Sequence, residues 1–132
     1  MRRAGPGFRT IAVVGAAALL SSCSPPEIRM VVTRAEGRLE VALAQDWGII
    51  MSDEQIPCVD EIGLYRSQAR ERAQAVWLIE AEADLQCVDL PVLTVGEVPR
   101  GWRQVVPLSA VRGRTYTLTA QGIGSGETQL TF

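Results

Sequence analysis

The side chains that most often perform catalysis at neutral pH do not occur in this sequence. Its 132 residues include no histidine and no lysine, which removes the usual general acid–base group and the amine of a Schiff base or a Ser–Lys pair. Gly124-Ser125-Gly126 does not have the spacing of a nucleophile elbow. Three cysteines without histidine also disfavour a conventional zinc site. The sequence therefore predicts a protein that is not an enzyme and that holds no metal or other cofactor.

Tryptophan rings beside glycines are candidates for a binding site, because loop tryptophans stack on sugars or anchor protein contacts. Trp47 and Trp102 each adjoin a glycine, and in the segment PRGWR the Trp102 ring is flanked by Arg100 and Arg103. We predict a contact site at Trp102, Arg100 and Arg103, with Trp47 as a second aromatic contact. The alternative is that these rings cover an edge of their own core, with Trp102 folded inward at a connection between sheets.

Residues 1–22 have the pattern of a secretory signal peptide. Three arginines precede an apolar block from residue 11 to residue 20, about half of the roughly 20 residues that a membrane-spanning helix needs. The block ends at Leu20-Ser21-Ser22-Cys23, which resembles a bacterial lipobox. The resemblance implies that the chain is cut before Cys23 and that this cysteine carries the lipid. An ordinary signal peptide with a spare thiol is the alternative.

A lipid on Cys23 would place the protein in the cell envelope, anchored to a membrane on the periplasmic side. Acyl chains hold a protein on a bilayer at about 0.8 kcal/mol per buried CH₂. In similar lipoproteins an Asp after the cysteine favours the inner membrane, so Ser24 favours the outer membrane. Residues 23–27 form a short tether with two prolines, which favour an extended chain. The folded domain, residues 28–132, is therefore expected close to the membrane.

The charge of the predicted mature chain excludes some partners. Residues 1–22 hold three of the 13 basic residues and no acidic one, so the remainder has 10 basic and 15 acidic residues and a net charge of −5. The sequence has no basic run, so we predict no binding to nucleic acid and no general attraction to anionic lipid.

Cys58 and Cys87 remain as an even pair once Cys23 is assigned to the lipid. Because the periplasm is oxidising, we predict a Cys58–Cys87 disulfide. Two free buried thiols are the alternative.

Alternation of polar and apolar residues predicts a hairpin at each end of the domain. Near the start, residues 28–33 and 39–43 alternate on either side of a glycine turn. Near the end, residues 114–120 and 127–132 flank the glycine-rich turn at residues 122–126.

The middle of the chain allows two interpretations. Helix formers at residues 67–74 permit a helix from residue 67 to about residue 86. The β-branched and aromatic residues of AVWLIEAE instead favour a hairpin with DEIGLYR, and we prefer this interpretation. In that hairpin the numbers of opposed residues sum to about 141, which places Cys58 opposite about position 83. A bulge or a small change of register would then bring Cys87 near Cys58.

Gly113 precedes Tyr116 by three positions at the start of a strand. This arrangement resembles a tyrosine corner, in which the tyrosine hydroxyl forms a hydrogen bond with the backbone upstream. Together with frequent turn signals, it predicts an all-β fold, a single immunoglobulin-like or fibronectin-like β-sandwich of about seven strands. A small closed β-barrel is the main alternative, or an α+β fold if residues 67–86 are helical.

The sequence resembles small proteobacterial lipoproteins with an immunoglobulin-like or fibronectin-like domain. The resemblance rests on the lipobox, the chain length, the GEVPRGW segment and the Gly-x-x-Tyr strand. The resemblance implies no particular activity. We expect a membrane-anchored periplasmic lipoprotein that acts as a non-catalytic interaction module, with an envelope protein or glycan as its partner. One alternative is a carbohydrate- or peptidoglycan-binding lipoprotein. The other is a lysozyme-inhibitor-like lipoprotein, because the segment GIGSG resembles the glycine–serine loop of such inhibitors.

Overall fold

The computed structural model describes residues 26–46, 55–66, 71–82 and 86–132. Apart from one turn of 3-10 helix at Arg72–Gln74, the regular structure of these residues is β. The strands are β1 (Glu27–Ala35), β2 (Arg38–Asp46), β3 (Cys58–Arg66), β4 (Ala75–Ala81), β5 (Val88–Asp89), β6 (Val92–Thr94), β7 (Trp102–Val106), β8 (Thr115–Gly122) and β9 (Ser125–Thr131). The predicted all-β class is confirmed. Because β4 is a strand, the helical alternative for residues 67–86 is wrong.

The strands form one curled sheet in the order β6-β2-β1-β9-β8-β3-β4-β7, and β5 pairs with β3 beside this path. The two end strands, β6 and β7, are not neighbours in this order, so the sheet is open and is not the closed barrel considered as an alternative. All neighbours are antiparallel except β1 and β9, which are parallel and meet in one register pair, Glu27 with Ser125. This junction links a group of three strands, β6-β2-β1, to a group of five, β9-β8-β3-β4-β7.

Both predicted terminal hairpins are confirmed. β1 and β2 pair from Glu27–Asp46 to Ala35–Arg38. Their turn uses Glu36 and Gly37 at φ 51° and 77°, and two positive φ values match the twist of the flanking strands. β8 and β9 pair from Thr115–Thr131 to Gln121–Ser125.

The predicted central hairpin is also confirmed, with the predicted register from Glu61 to Leu64, although Cys58 does not lie opposite position 83 as that register required. Glu61 pairs with Glu80 and Leu64 with Trp77, as the predicted sum of 141 requires. Beyond the end of β4 the chain returns to β3 as β5, where Cys58 lies opposite Asp89. Cys58 and Cys87 form the predicted disulfide, with their Cα atoms 5.3 Å apart.

One apolar core joins the two groups of strands, because the inward residues of both belong to a single cluster. Ile28 and Val41 contribute from β1 and β2, and Trp77 and Leu118 contribute from β4 and β8. The predicted tyrosine corner is present: the Val111 N–H donates a hydrogen bond to the Tyr116 hydroxyl, at 2.7 Å.

Candidate functional site

The structure places the predicted Trp102 contact site in the core. Trp102 is the first residue of β7, pairs with Ala81 and is 5 % exposed. Its ring is not available to a partner, which corrects the prediction and agrees with the inward alternative. Arg100 is exposed in the preceding turn, whereas Arg103 binds Glu80. Trp47 and Cys23 lie outside the described residues.

A concave polar surface lies instead on the outer face of β3, β8 and β9. Alternation along each strand puts Ile62 and Leu118 in the core and their neighbours on the opposite face. Strand pairing then sets these neighbours side by side, Glu61 opposite Gln121 and Thr119 opposite Glu127. We call the resulting cavity of about 690 Å³ the outer groove; its lining is Glu27, Glu61, Tyr65, Arg72, Thr119, Ala120, Gln121, Ser125, Gly126 and Glu127.

Tyr65 lines the outer groove without offering an exposed ring. The residue is 3 % exposed, and its ring lies over Gly63, where a Cβ would be 2.6 Å from Cε2. Burial, and secondarily the charge of Glu61, raises the pKa of Tyr65, while Arg72 lowers it. The phenol therefore stays neutral at physiological pH.

A chain of ion pairs crosses the same face. Arg72 binds Glu61 (Nη1–Oε2, 2.5 Å) and Glu80 (Nη2–Oε2, 3.1 Å), and Arg103 binds the other oxygen of Glu80. The hydrogen bonds from Arg72 and then Arg103 lower the pKa of Glu80. The side chains of both glutamates are 17 % exposed, so these charges are held in place before any partner arrives.

The composition of the outer groove determines what it can bind. Among the described residues that line it, three carry a carboxylate, Glu27, Glu61 and Glu127, and one, Arg72, carries a guanidinium. Side chains of Gln121 and Ser125 add exposed hydrogen-bonding groups. Such a surface suits ammonium or guanidinium groups and other hydrogen-bond donors.

The sequence interpretation did not find this groove, because its residues come from β1, β3, β8 and β9 and meet only through long-range pairing. One local signal was present. One face of the predicted C-terminal hairpin has four polar residues, Thr119, Gln121, Ser125 and Glu127. Several polar residues on one face of a hairpin indicate a surface that the domain does not cover with its own core.

The part of the chain that the structure describes contains no cluster of three or more His, Cys, Asp or Glu residues that could hold a metal ion. None of its helical segments is long and apolar enough to cross a membrane. Comparisons with models of protein families, with curated proteins and with solved structures found no match for this chain.

Proposed function

We propose that this protein is a membrane-anchored lipoprotein of the cell envelope whose β-domain binds another protein through the outer groove and performs no chemistry. The observation that carries the proposal is the position of Glu27. This residue lines the outer groove and begins β1, and it follows Cys23 by only four positions in the sequence. Lipid anchor and groove would thus lie at the same end of the domain.

The covalent reach of the chain limits their separation. Pro26 is held against the domain, because its carbonyl oxygen lies so close to Gly124 that a Cβ there would clash. Three Cα–Cα steps of 3.8 Å allow at most about 11 Å between Cys23 and Pro26. A lipid on Cys23 would therefore keep the outer groove near the headgroups, where a membrane protein could enter it. Ser24 favours the outer membrane for this site.

A protein partner fits the outer groove better than a glycan. Sugar sites commonly present an aromatic ring for stacking. Tyr65, the one aromatic residue among the described residues that line the groove, is buried over Gly63. The carboxylates instead suit a segment that carries lysine, arginine or backbone N–H donors. In the loop at residues 122–126, whose likeness to that of lysozyme inhibitors suggested the second alternative, Gly124 is buried against Pro26, while Ile123 and Ser125 are exposed.

We further propose that the curled sheet is an immunoglobulin-like sandwich. In its support, β9-β8-β3-β4 follows the G-F-C-C′ order of that fold, and β1-β2-β6 follows A-B-E. Tyr116 stands near the start of β8, where strand F carries the tyrosine corner. β7 departs from the fold, since it lies at the edge beside β4.

The binding proposal is tested by cross-linking in cells that express the full chain, followed by purification of the adducts. Ser125→Arg and Gln121→Arg each put a bulky cation into the outer groove at an exposed position. We expect both to lose a protein adduct that the wild type forms. The matched control is Thr33→Arg, which adds the same charge at an exposed site on β1 outside the groove lining. Equal adduct yields from all four proteins would refute the groove as the binding surface.

Anchoring is tested separately. Cys23→Ser should move the protein from the membrane fraction to the soluble fraction, and mass spectrometry of the wild type should find acyl chains on Cys23. Membrane association of Cys23→Ser together with an unmodified wild-type cysteine would refute the lipoprotein proposal.

A further inference from the structure

A second groove, of about 490 Å³, lies at the other end of the β1–β2 hairpin. Three arginines line it. Arg34, near the end of β1, and Arg38, at the start of β2, flank one turn, and Arg112 comes from the loop before β8. We call it the arginine groove. Glu97 is the one acidic side chain among the described residues that line it.

Arg34 and Arg38 each contact a neighbouring group and still have N–H donors left for a ligand. Arg34 donates one hydrogen bond through Nη2 to the Thr131 carbonyl oxygen, at 2.8 Å. Arg38 pairs with Glu97 at 3.4 Å, and the two side chains are 66 % and 60 % exposed. An exposed pair of this kind contributes little to stability, so an incoming anion can replace Glu97. Each guanidinium carries five N–H donors.

The tyrosine corner fixes the third arginine. The residues on either side of Arg112 are both bonded to the body of the domain: Val111 N–H to the Tyr116 hydroxyl at 2.7 Å, and Gly113 N–H to the Phe132 carbonyl oxygen at 2.8 Å. Gly113 has φ 80°, a conformation that glycine adopts without strain. Arg112 is therefore presented from a short, fixed loop.

The floor of the arginine groove is apolar. Leu39 and Phe132 line it, and the Phe132 ring packs edge-to-face against Tyr116, with centroids 5.5 Å apart. A low-dielectric floor strengthens the attraction between the arginines and an anion above it. The groove is thus a local cationic site on a domain whose predicted mature chain has a net charge of −5.

We propose that the arginine groove binds a phosphate group. Guanidinium forks match the tetrahedral oxyanion with paired hydrogen bonds, and three of them around one cavity can share its oxygens. The phosphate could belong to a water-soluble molecule or to a lipid headgroup. Nine strand residues span about 30 Å, so β1 separates the arginine groove from the outer groove, and this proposal is independent of the one above.

The test uses the full chain in neutral detergent and isothermal titration calorimetry with inorganic pyrophosphate. We expect saturable binding that Arg112→Gln and Arg38→Gln each weaken by about tenfold, the loss expected for one charge-assisted contact. The matched control is Arg114→Gln, which removes the same charge from the same loop outside the groove lining and should bind like the wild type. Unchanged urea denaturation of each variant would show that the fold is intact.

Mixed micelles containing phosphatidylglycerol distinguish the two sources of phosphate. Tighter binding to phosphatidylglycerol micelles than to pyrophosphate, lost in Arg112→Gln, assigns the site to a lipid headgroup, and the reverse preference assigns it to a soluble ligand. The proposal is overturned if neither probe binds, or if Arg114→Gln weakens binding as much as the groove variants do.

Discussion

The ring of Tyr65 lies on the backbone of Gly63, its neighbour two residues away on the same face of β3. A Cβ at position 63 would be 2.6 Å from Cε2 of the ring and 2.7 Å from its hydroxyl oxygen. Both residues are buried. Because Gly63 has no side chain, the Tyr65 ring can pack against the backbone of its own strand next to the outer groove.

Gly63→Ala should therefore destabilise the domain by overpacking, by about 1–3 kcal/mol in the free energy of unfolding measured with urea. The control is the same substitution in a Tyr65→Ala background, where the obstructing ring is gone and the added methyl group should cost much less. A cost that is equal in both backgrounds would show that the ring does not occupy this space in solution.

Tyr116→Phe should lower the free energy of unfolding by about 1–2 kcal/mol, because the part-buried Val111 N–H loses its acceptor. Tyr65→Phe serves as the control. It removes the same atom from a tyrosine that is also buried but lies outside the tyrosine corner, so its loss should be smaller. Chemical denaturation of the two variants should rank them in that order, and equal losses would argue against the tyrosine corner.

Reduction of the Cys58–Cys87 disulfide should destabilise the domain by about 3–4 kcal/mol, the chain-entropy value for a closed loop of this length. Urea titrations with and without dithiothreitol measure the difference. The Cys58→Ala/Cys87→Ala double variant should be insensitive to the reductant and match the reduced wild type. Sensitivity that persists in the double variant would mean that another thiol is responsible.

Glu80 should contribute to the dependence of stability on pH. Its pKa is lowered in the folded protein by hydrogen bonds from Arg72 and Arg103, so the folded state favours the carboxylate more than the unfolded state does. This stabilisation is present above the ordinary glutamate pKa and is lost as pH falls through the lowered value.

The loss can be followed by NMR titration of the Glu80 carboxyl carbon. Arg72→Gln should move the midpoint upward, toward the ordinary glutamate value, and make the acid limb of the stability curve shallower. Arg66→Gln, at an exposed position at the end of β3, should leave the midpoint in place. A midpoint that Arg72→Gln does not move would rule out this ion pair in solution.

Local sequence patterns were sufficient to predict the three hairpins, β1–β2, β3–β4 and β8–β9, but not the pairings that join these hairpins into one sheet. Alternation located β1, β2, β8 and β9, and one register assumption, a hairpin around residues 67–74, joined β3 to β4. The path of β7 was not predictable in this way. Pro99 and Gly101 are typical loop residues, yet a strand begins at Trp102. Its ring is buried in the core, and Trp102 pairs with Ala81 of β4, which is far from it in the sequence.

The sites were less predictable than the strands. Glu61 and Gln121 are far apart in the sequence and become neighbours only when β3 pairs with β8. The arginine groove likewise has no compact basic motif in the sequence. A tight turn and the tyrosine corner bring Arg34, Arg38 and Arg112 together only in the folded domain. Alternation in a single sequence indicates the face of the strand on which each residue lies. The distance between residues on different strands depends on the order of all strands in the sheet.

The parallel junction of β1 with β9 has a mechanical consequence. Tension applied through the residues before Glu27 acts along the axis of β1, and the nine pairs between β1 and β2 then resist it together in shear. The link to β9 at Glu27 and Ser125 is the first to be loaded. A pull from that side should therefore break this single register pair before the hairpin yields, while the shared apolar core still joins the two groups of strands.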